Sequence, residues 1–201
     1  FGSFRMYTTY KISNHPGGSY SLMFNDTMGF ERSAGHGVHV EDIKLALKGH
    51  VKDGYKFNPK EPLTEGDFYN PSPTLDDRVH VLVSVFPADK SSEMTGEDVK
   101  KMREVRRAAS EMRIPQLVLL TRIDEACPKV KENINNVYKS KCLKEHVDKC
   151  SSLLGIPLNC VFLVKNYHSE TKVNDDIHAL ILVALRQMVS VGEDFLNDLQ
   201  D

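Results

Sequence analysis

Apolar residues along the chain fall into short unbroken runs, separated by longer stretches in which they recur every three or four positions. Short runs of apolar and β-branched residues lie at 5–12, 21–24, 79–86, 114–120 and 160–164, the last three mostly Val, Leu, Ile and Phe. Each has the length and composition of a strand. The last three show little alternation of apolar and polar positions, which predicts strands covered on both faces in a parallel sheet. Over 95–112 the positions Val99, Met102, Val105, Ala109 and Met112 follow helical spacing, and Thr95 with Asp98 offers a reciprocal cap at the start. Near the end, Ile177, Leu180, Ile181, Leu185, Met188 and Val189 mark one face of a closing helix. Asp175 and Asp176 stand at its beginning, where the dipole favours acids. A shorter helix is predicted over 41–48, ended by Gly49, and at least one more within 130–154, before Gly155 and Pro157.

Strands alternating with helices predict an α/β sheet with right-handed crossovers. Residues 53–78 interrupt that rhythm with four prolines and with Tyr55, Phe57, Phe68 and Tyr69. This stretch is too apolar for a disordered linker and too proline-rich for a helix, so it is expected to be an ordered insertion packed on the body.

Composition narrows the picture. A chain of 201 residues, 40% hydrophobic, can bury one sizeable core, so a single domain over 1–201 is expected. Net charge is −2, from 26 basic and 28 acidic residues without a long run of either sign, which argues against nucleic acid or a polybasic membrane surface as partner. The longest apolar run, at 179–185, is far below the roughly 20 residues that span a bilayer. No signal-peptide pattern opens the chain. Four cysteines do not form the dense framework of a small secreted domain, so free thiols and a cytoplasmic setting are expected.

Ligands of open parallel sheets gather beyond the carboxyl ends of the strands. After the run at 21–24 comes Asp26-Thr27-Met28-Gly29, a D-x-x-G pattern. In nucleoside-triphosphate switches such an acid reaches Mg2+ and the glycine N–H approaches the terminal phosphate; Asp and Gly are equally ordinary turn residues. After the run at 114–120 comes Thr121-Arg122-Ile123-Asp124. A carboxylate accepts both N–H donors on one edge of guanine, which suits Asp124, and the Arg122 side chain can lie over a purine face. The alternative is a strand end with a surface ion pair. Lys165 and Asn166 follow the run at 160–164, where a backbone N–H can reach the guanine oxygen.

Three further features are weaker. Cys142, His146 and Cys150 share a helical face, but i, i+4 and i+8 span about 12 Å, too far for all three to reach one zinc ion. His36 and His39 read as a solvated pair. Tyr55, Phe57, Phe68 and Tyr69 either form a partner patch or anchor the insertion to the core.

The segments LMFNDTMGFE, YKFNPKEPL, SPTLDDRVHVLVSVF, VLLTRID and LLGIP, with the terminal GEDFLNDL, together resemble the G domain of the interferon-induced protein 44 and 44-like family, over almost the whole chain. The resemblance implies a P-loop GTPase-like three-layer α/β fold, a mostly parallel sheet with helices on both faces. It also implies a cytoplasmic, interferon-induced protein of antiviral innate immunity that binds GTP or GDP with Mg2+ and has protein partners in immune signalling. Its guanine-nucleotide residues would be Asp26, Thr27, Gly29, Thr121, Arg122, Asp124, Lys165 and Asn166, with Asp26 at the metal. Family members carry a G-x-x-x-x-G-K-S loop just before the region that matches FRMYTTYKI; no G-K-S or G-K-T occurs in these 201 residues. Nucleotide binding by this chain is therefore expected to be impaired, with a pseudo-GTPase interaction module as the alternative. Phe30 follows Gly29 where many small GTPases have a water-orienting glutamine, so any hydrolysis is expected to be slow. Arg122 replaces the usual lysine and is expected to weaken base stacking.

Overall fold

A computed structural model of the chain describes residues 6–13, 21–29 and 37–199. The Phe30, Glu31 and His36 positions lie outside them. By compactness the chain divides into two units, Phe1–Val79 with Lys100–Met112, and His80–Val99 with Arg113–Asp201.

In the first unit, strands β1 (Thr8–Ser13) and β2 (Ser21–Asp26) pair antiparallel, with Thr8 opposite Asp26. Helix α1 (Val40–Leu47) buries Ile43, Ala46 and Leu47. The proline-rich stretch has no helix or strand of its own, yet its backbone is tied down at many points. Tyr7 and Tyr55 bond N–H to C=O at 2.8 Å, Gly54 donates to the Tyr7 carbonyl, and Asp53 Oδ1 accepts from Thr9 N–H. Of its aromatics, Tyr55 and Phe57 are buried and meet edge to face, and the Tyr69 ring stacks flat on His50 at 5.2 Å. These rings anchor the segment. Phe68 remains 44% exposed.

The second unit is built on a parallel sheet in the order β3 (Leu82–Pro87), β4 (Gln116–Thr121), β5 (Val161–Leu163). The expectation of strands covered on both faces holds best for β4, whose Leu117, Val118 and Leu120 are buried. It needs correction for β3, where Val85 is 59% exposed, and for β5, whose three residues are all half-buried. Among the described strands these end the sheet, with a neighbour on one side only, whereas β4 is flanked on both.

Three of the longer helices begin where side chains cap them. Helix α2 (Gly96–Glu111) starts with the reciprocal pair expected: Asp98 N–H donates to Thr95 Oγ1, and Asp98 Oδ2 accepts from Thr95 N–H and Oγ1–H. Two short helices, α3 (Ile123–Ala126) and α4 (Pro128–Glu132), and a 3-10 turn at Ile134–Lys139 lead into α5 (Lys141–Leu154). Helix α5 is capped by Ser140 and closed by Gly155 in the left-handed region. The last helix, α6 (Asp175–Asp198), buries Ile177, Leu180, Ala184, Met188 and Gly192, a stripe at three- and four-residue spacing. The carbonyl oxygen of the Asn174 side chain accepts from Ile177 N–H at 3.0 Å. Asn174→Ala should therefore lower stability by about 1 kcal/mol in urea denaturation.

Candidate functional site

Two chain segments carry the candidate residues, one in each unit. In the first, Asp26 ends β2 on the antiparallel pair rather than on the parallel sheet, and is exposed. Thr27 is half-buried, Met28 is buried, and Gly29 is exposed. Gly29 does not have a positive φ, and a Cβ there would meet no described atom within 4 Å. Among the described residues, nothing in the packing therefore demands glycine at this position.

In the second unit, the carboxyl ends of β3, β4 and β5 bring together Thr121, Arg122, Asp124 and Lys165, with two acids that pattern reading did not single out. Thr121 donates its hydroxyl to the Phe86 carbonyl at 3.2 Å, tying the end of β4 to that of β3. Arg122 adopts φ 56, ψ 37, the left-handed region that a non-glycine residue occupies at a cost of order 1–3 kcal/mol. That bend lets the Arg122 carbonyl accept from Glu125 and Ala126 N–H, so α3 starts at once and Asp124 sits in its first turn. The Arg122 guanidinium pairs with Asp89 Oδ2 at 2.9 Å, while the other Asp89 oxygen is buried and has no described hydrogen-bond partner. Asp89 lies in the 3-10 turn Ala88–Glu93 that follows β3.

Lys165 stands between two carboxylates, 3.7 Å from Asp124 and 2.5 Å from Glu170. All three side chains are about one-fifth exposed. Glu170 foremost, with Asp124 after it, holds the Lys165 ammonium above its usual pKa against the opposing effect of burial. Glu170 is held down to about 2, chiefly by the His168 N–H and then by Lys165. The loop after β5 thus closes on its own acid, and Asn166 is exposed within it.

The sequence signal for Asp89 was an acid two residues beyond the end of β3, much as Asp124 lies three residues beyond the end of β4. For Glu170 there was none: its role depends on the loop folding back five residues. The four cysteines are free thiols, and the described residues contain no group of three or more His, Cys, Asp or Glu placed to hold a metal ion. Cys142, His146 and Cys150 are thus not such a group. No described helix is long and apolar enough to cross a membrane.

No family model and no solved structure matches the chain. Curated proteins do. The chain is 32% identical to interferon-induced protein 44-like of Homo sapiens over 195 residues, 96% of this chain and 43% of that protein. It is 30% identical to interferon-induced protein 44 of Mus musculus over 195 residues, 96% of this chain and 46% of that protein. To the Pan troglodytes protein of the same name it is 30% identical over 196 residues, 96% of this chain and 44% of the relative. The chain thus spans less than half the length of these relatives. Agreement at this level across nearly all of its residues means that, over the shared region, the chain belongs to the interferon-induced protein 44 and 44-like family.

Proposed function

We propose that these residues carry the base-recognition edge of a GTPase-like domain, in an interferon-induced, cytoplasmic protein of antiviral innate immunity. The observation that carries this reading is the partly exposed Asp124 carboxylate at the carboxyl edge of a parallel sheet, held there by the left-handed turn at Arg122. Backbone outliers of this kind concentrate where a side chain must be aimed. Asp124 would accept N1–H and N2–H of guanine, with Lys165 beside it stabilising the charged acceptor. The Arg122 stem, steadied by Asp89, would cover the purine face. The Asn166 backbone would meet the guanine oxygen, and Thr121 would set the strand end rather than touch the base.

Asp26 fits a magnesium role in kind, because the ion takes oxygen ligands from one or two carboxylates and completes its shell with phosphate and water. Mg2+ there would neutralise phosphate charge, and no described atom stands within 4 Å of the position of a Gly29 Cβ, which suits a phosphate approaching its N–H. The 201 residues contain no G-x-x-x-x-G-K-S/T loop, so the chain by itself lacks those β- and γ-phosphate contacts and would bind nucleotide weakly.

Competition between guanine and adenine nucleotides for this chain, and for the longest natural form of the protein, tests the base reading. GDP should outcompete ADP at least about tenfold, a difference of 1.4 kcal/mol. Asp124→Asn should transfer the preference to xanthine nucleotides, whose C2 oxygen accepts the N–H that an amide side chain offers. Equal affinity for GDP and ADP, or an unchanged preference in the variant, would count against it.

One observation favours a second reading, an interaction module without nucleotide: Arg122 is already paired with Asp89, and Lys165 with Glu170. Absence of binding heat with GDP and GTP at high micromolar concentration, on folded natural protein, would favour that reading over the first.

A further inference from the structure

Two of the four thiols meet in the second unit. Cys127 is buried between α3 and α4, and its Sγ lies 3.2 Å from the Ser140 hydroxyl. Cys142, in the first turn of α5 and half-exposed, directs its Sγ to the Ala126 carbonyl at 3.4 Å. Each thiol therefore contacts a residue one or two positions from the other cysteine, which brings the two side chains together at this junction.

Their surroundings make the pair unequal. Burial by itself would raise the Cys127 thiol, but bonds from Ser140, from the Val130 and Lys129 amides and from Cys142 outweigh it and leave the thiol below its usual pKa. Ser140 Oγ accepts from Leu143 N–H as the cap of α5, which leaves its own proton for Cys127 sulfur. Cys142 is shifted the other way, by burial first and then by the negative charges of Cys127 and Glu145. A thiol with a lowered pKa beside one with a raised pKa orders the pair, Cys127 as the attacking and Cys142 as the resolving cysteine.

We propose that Cys127 and Cys142 form a peroxide-sensitive dithiol that closes to an intramolecular disulfide, joining the segment just after Asp124 to the start of α5. The Cys127 thiolate attacks one oxygen of hydrogen peroxide, the O–O bond breaks, and hydroxide leaves and takes up a proton to become water. The resulting sulfenic acid is attacked by Cys142 sulfur; the S–O bond breaks, and its oxygen departs as water with the Cys142 proton. Two thiols lose two electrons in total, and one peroxide becomes two waters.

Peroxide treatment of the natural protein, followed by alkylation in denaturant and digestion without reductant, should yield a linked Cys127–Cys142 peptide on mass spectrometry. Thiol titration in denaturant should fall by two of the four cysteines and return with dithiothreitol. In Cys142→Ser, a half-exposed and near-isosteric change, the linked peptide should vanish and dimedone should label Cys127. Cys150→Ser and Cys160→Ser should leave the link intact. A disulfide through Cys150 or Cys160, or alkylation of Cys127 and Cys142 as free thiols after oxidation of another cysteine, would overturn the proposal. So would dimedone failing to label Cys127 in the serine variant.

Discussion

Gly49→Ala should lower the free energy of unfolding by about 3–5 kcal/mol, the sum of a left-handed backbone penalty and an overpacked contact. Gly49 follows α1 with φ +85, where an L side chain is strained regardless of space. Space is also lacking: a Cβ would stand 2.8 Å from both the carbonyl carbon and the oxygen of Asp77, and 3.0 Å from its Cβ. The nearest atoms belong to backbone, so no rotamer change can relieve them. That backbone is held in turn, since Thr74 N–H and hydroxyl both donate to Asp77 Oδ2 and Val79 N–H donates to the Leu47 carbonyl. The close approach also lets Asn70 Nδ2 reach the Gly49 carbonyl at 3.2 Å. Urea denaturation of the variant gives the magnitude directly. A loss below about 1 kcal/mol would mean that the 74–79 turn yields at little cost.

Asp42→Ala should cost about 2–3 kcal/mol, because it removes the acceptor for two groups with no water to replace it. Asp42 is fully buried on α1, where its Oδ1 accepts from Leu63 N–H at 2.6 Å and its Oδ2 from the Tyr55 hydroxyl at 3.3 Å. A single carboxyl thus fastens the proline-rich segment to the helix. Asp42→Asn keeps an oxygen for Leu63 N–H and offers an amide to the Tyr55 oxygen, so it should cost clearly less than alanine. The two variants also differ from the natural protein in pH dependence. Burial above all raises the Asp42 pKa, against the lowering effects of Leu63, Tyr55 and His39. The folded protein therefore holds this proton more tightly than the unfolded chain. Stability from this group is fully present below the ordinary value of 3.8, declines as pH rises through the raised folded value, and is level above it. Asp42→Asn should remove that decline from the stability profile. An unchanged profile would show that Asp42 titrates alike in both states.

Much of the secondary structure was legible because its signals are local. The Thr95–Asp98 cap, the α6 stripe, Gly155 after α5 and the apolar strands β3 to β5 all depend on residues a few positions apart. Asp124, Arg122 and Lys165 could be singled out as candidates for the same reason, since residues after a strand can be read off in order. Their partners were not, because the Arg122–Asp89 pair spans two strand ends separated by a whole helix. Asp42 was missed because an acid in the first turn of a helix reads as a solvated, dipole-favoured residue, and only the return of the chain at Leu63 buries it.

The sequence by itself determined where the longer helices and most strands form, how α2 is capped and where α5 ends, that the cysteines are too sparse for a disulfide framework, and which family the chain resembles. The tertiary structure decided that β1 and β2 pair with each other, that β4 is the buried centre of its sheet, and which acids are solvated, paired or enclosed. It also decided that Cys127 and Cys142, but not Cys142, His146 and Cys150, are neighbours in chemistry. The physical reason is range. Periodicity and capping are set by dihedrals and bonds within one or two turns, whereas charge state, pairing and thiol reactivity depend on what distant segments bring within a few ångströms.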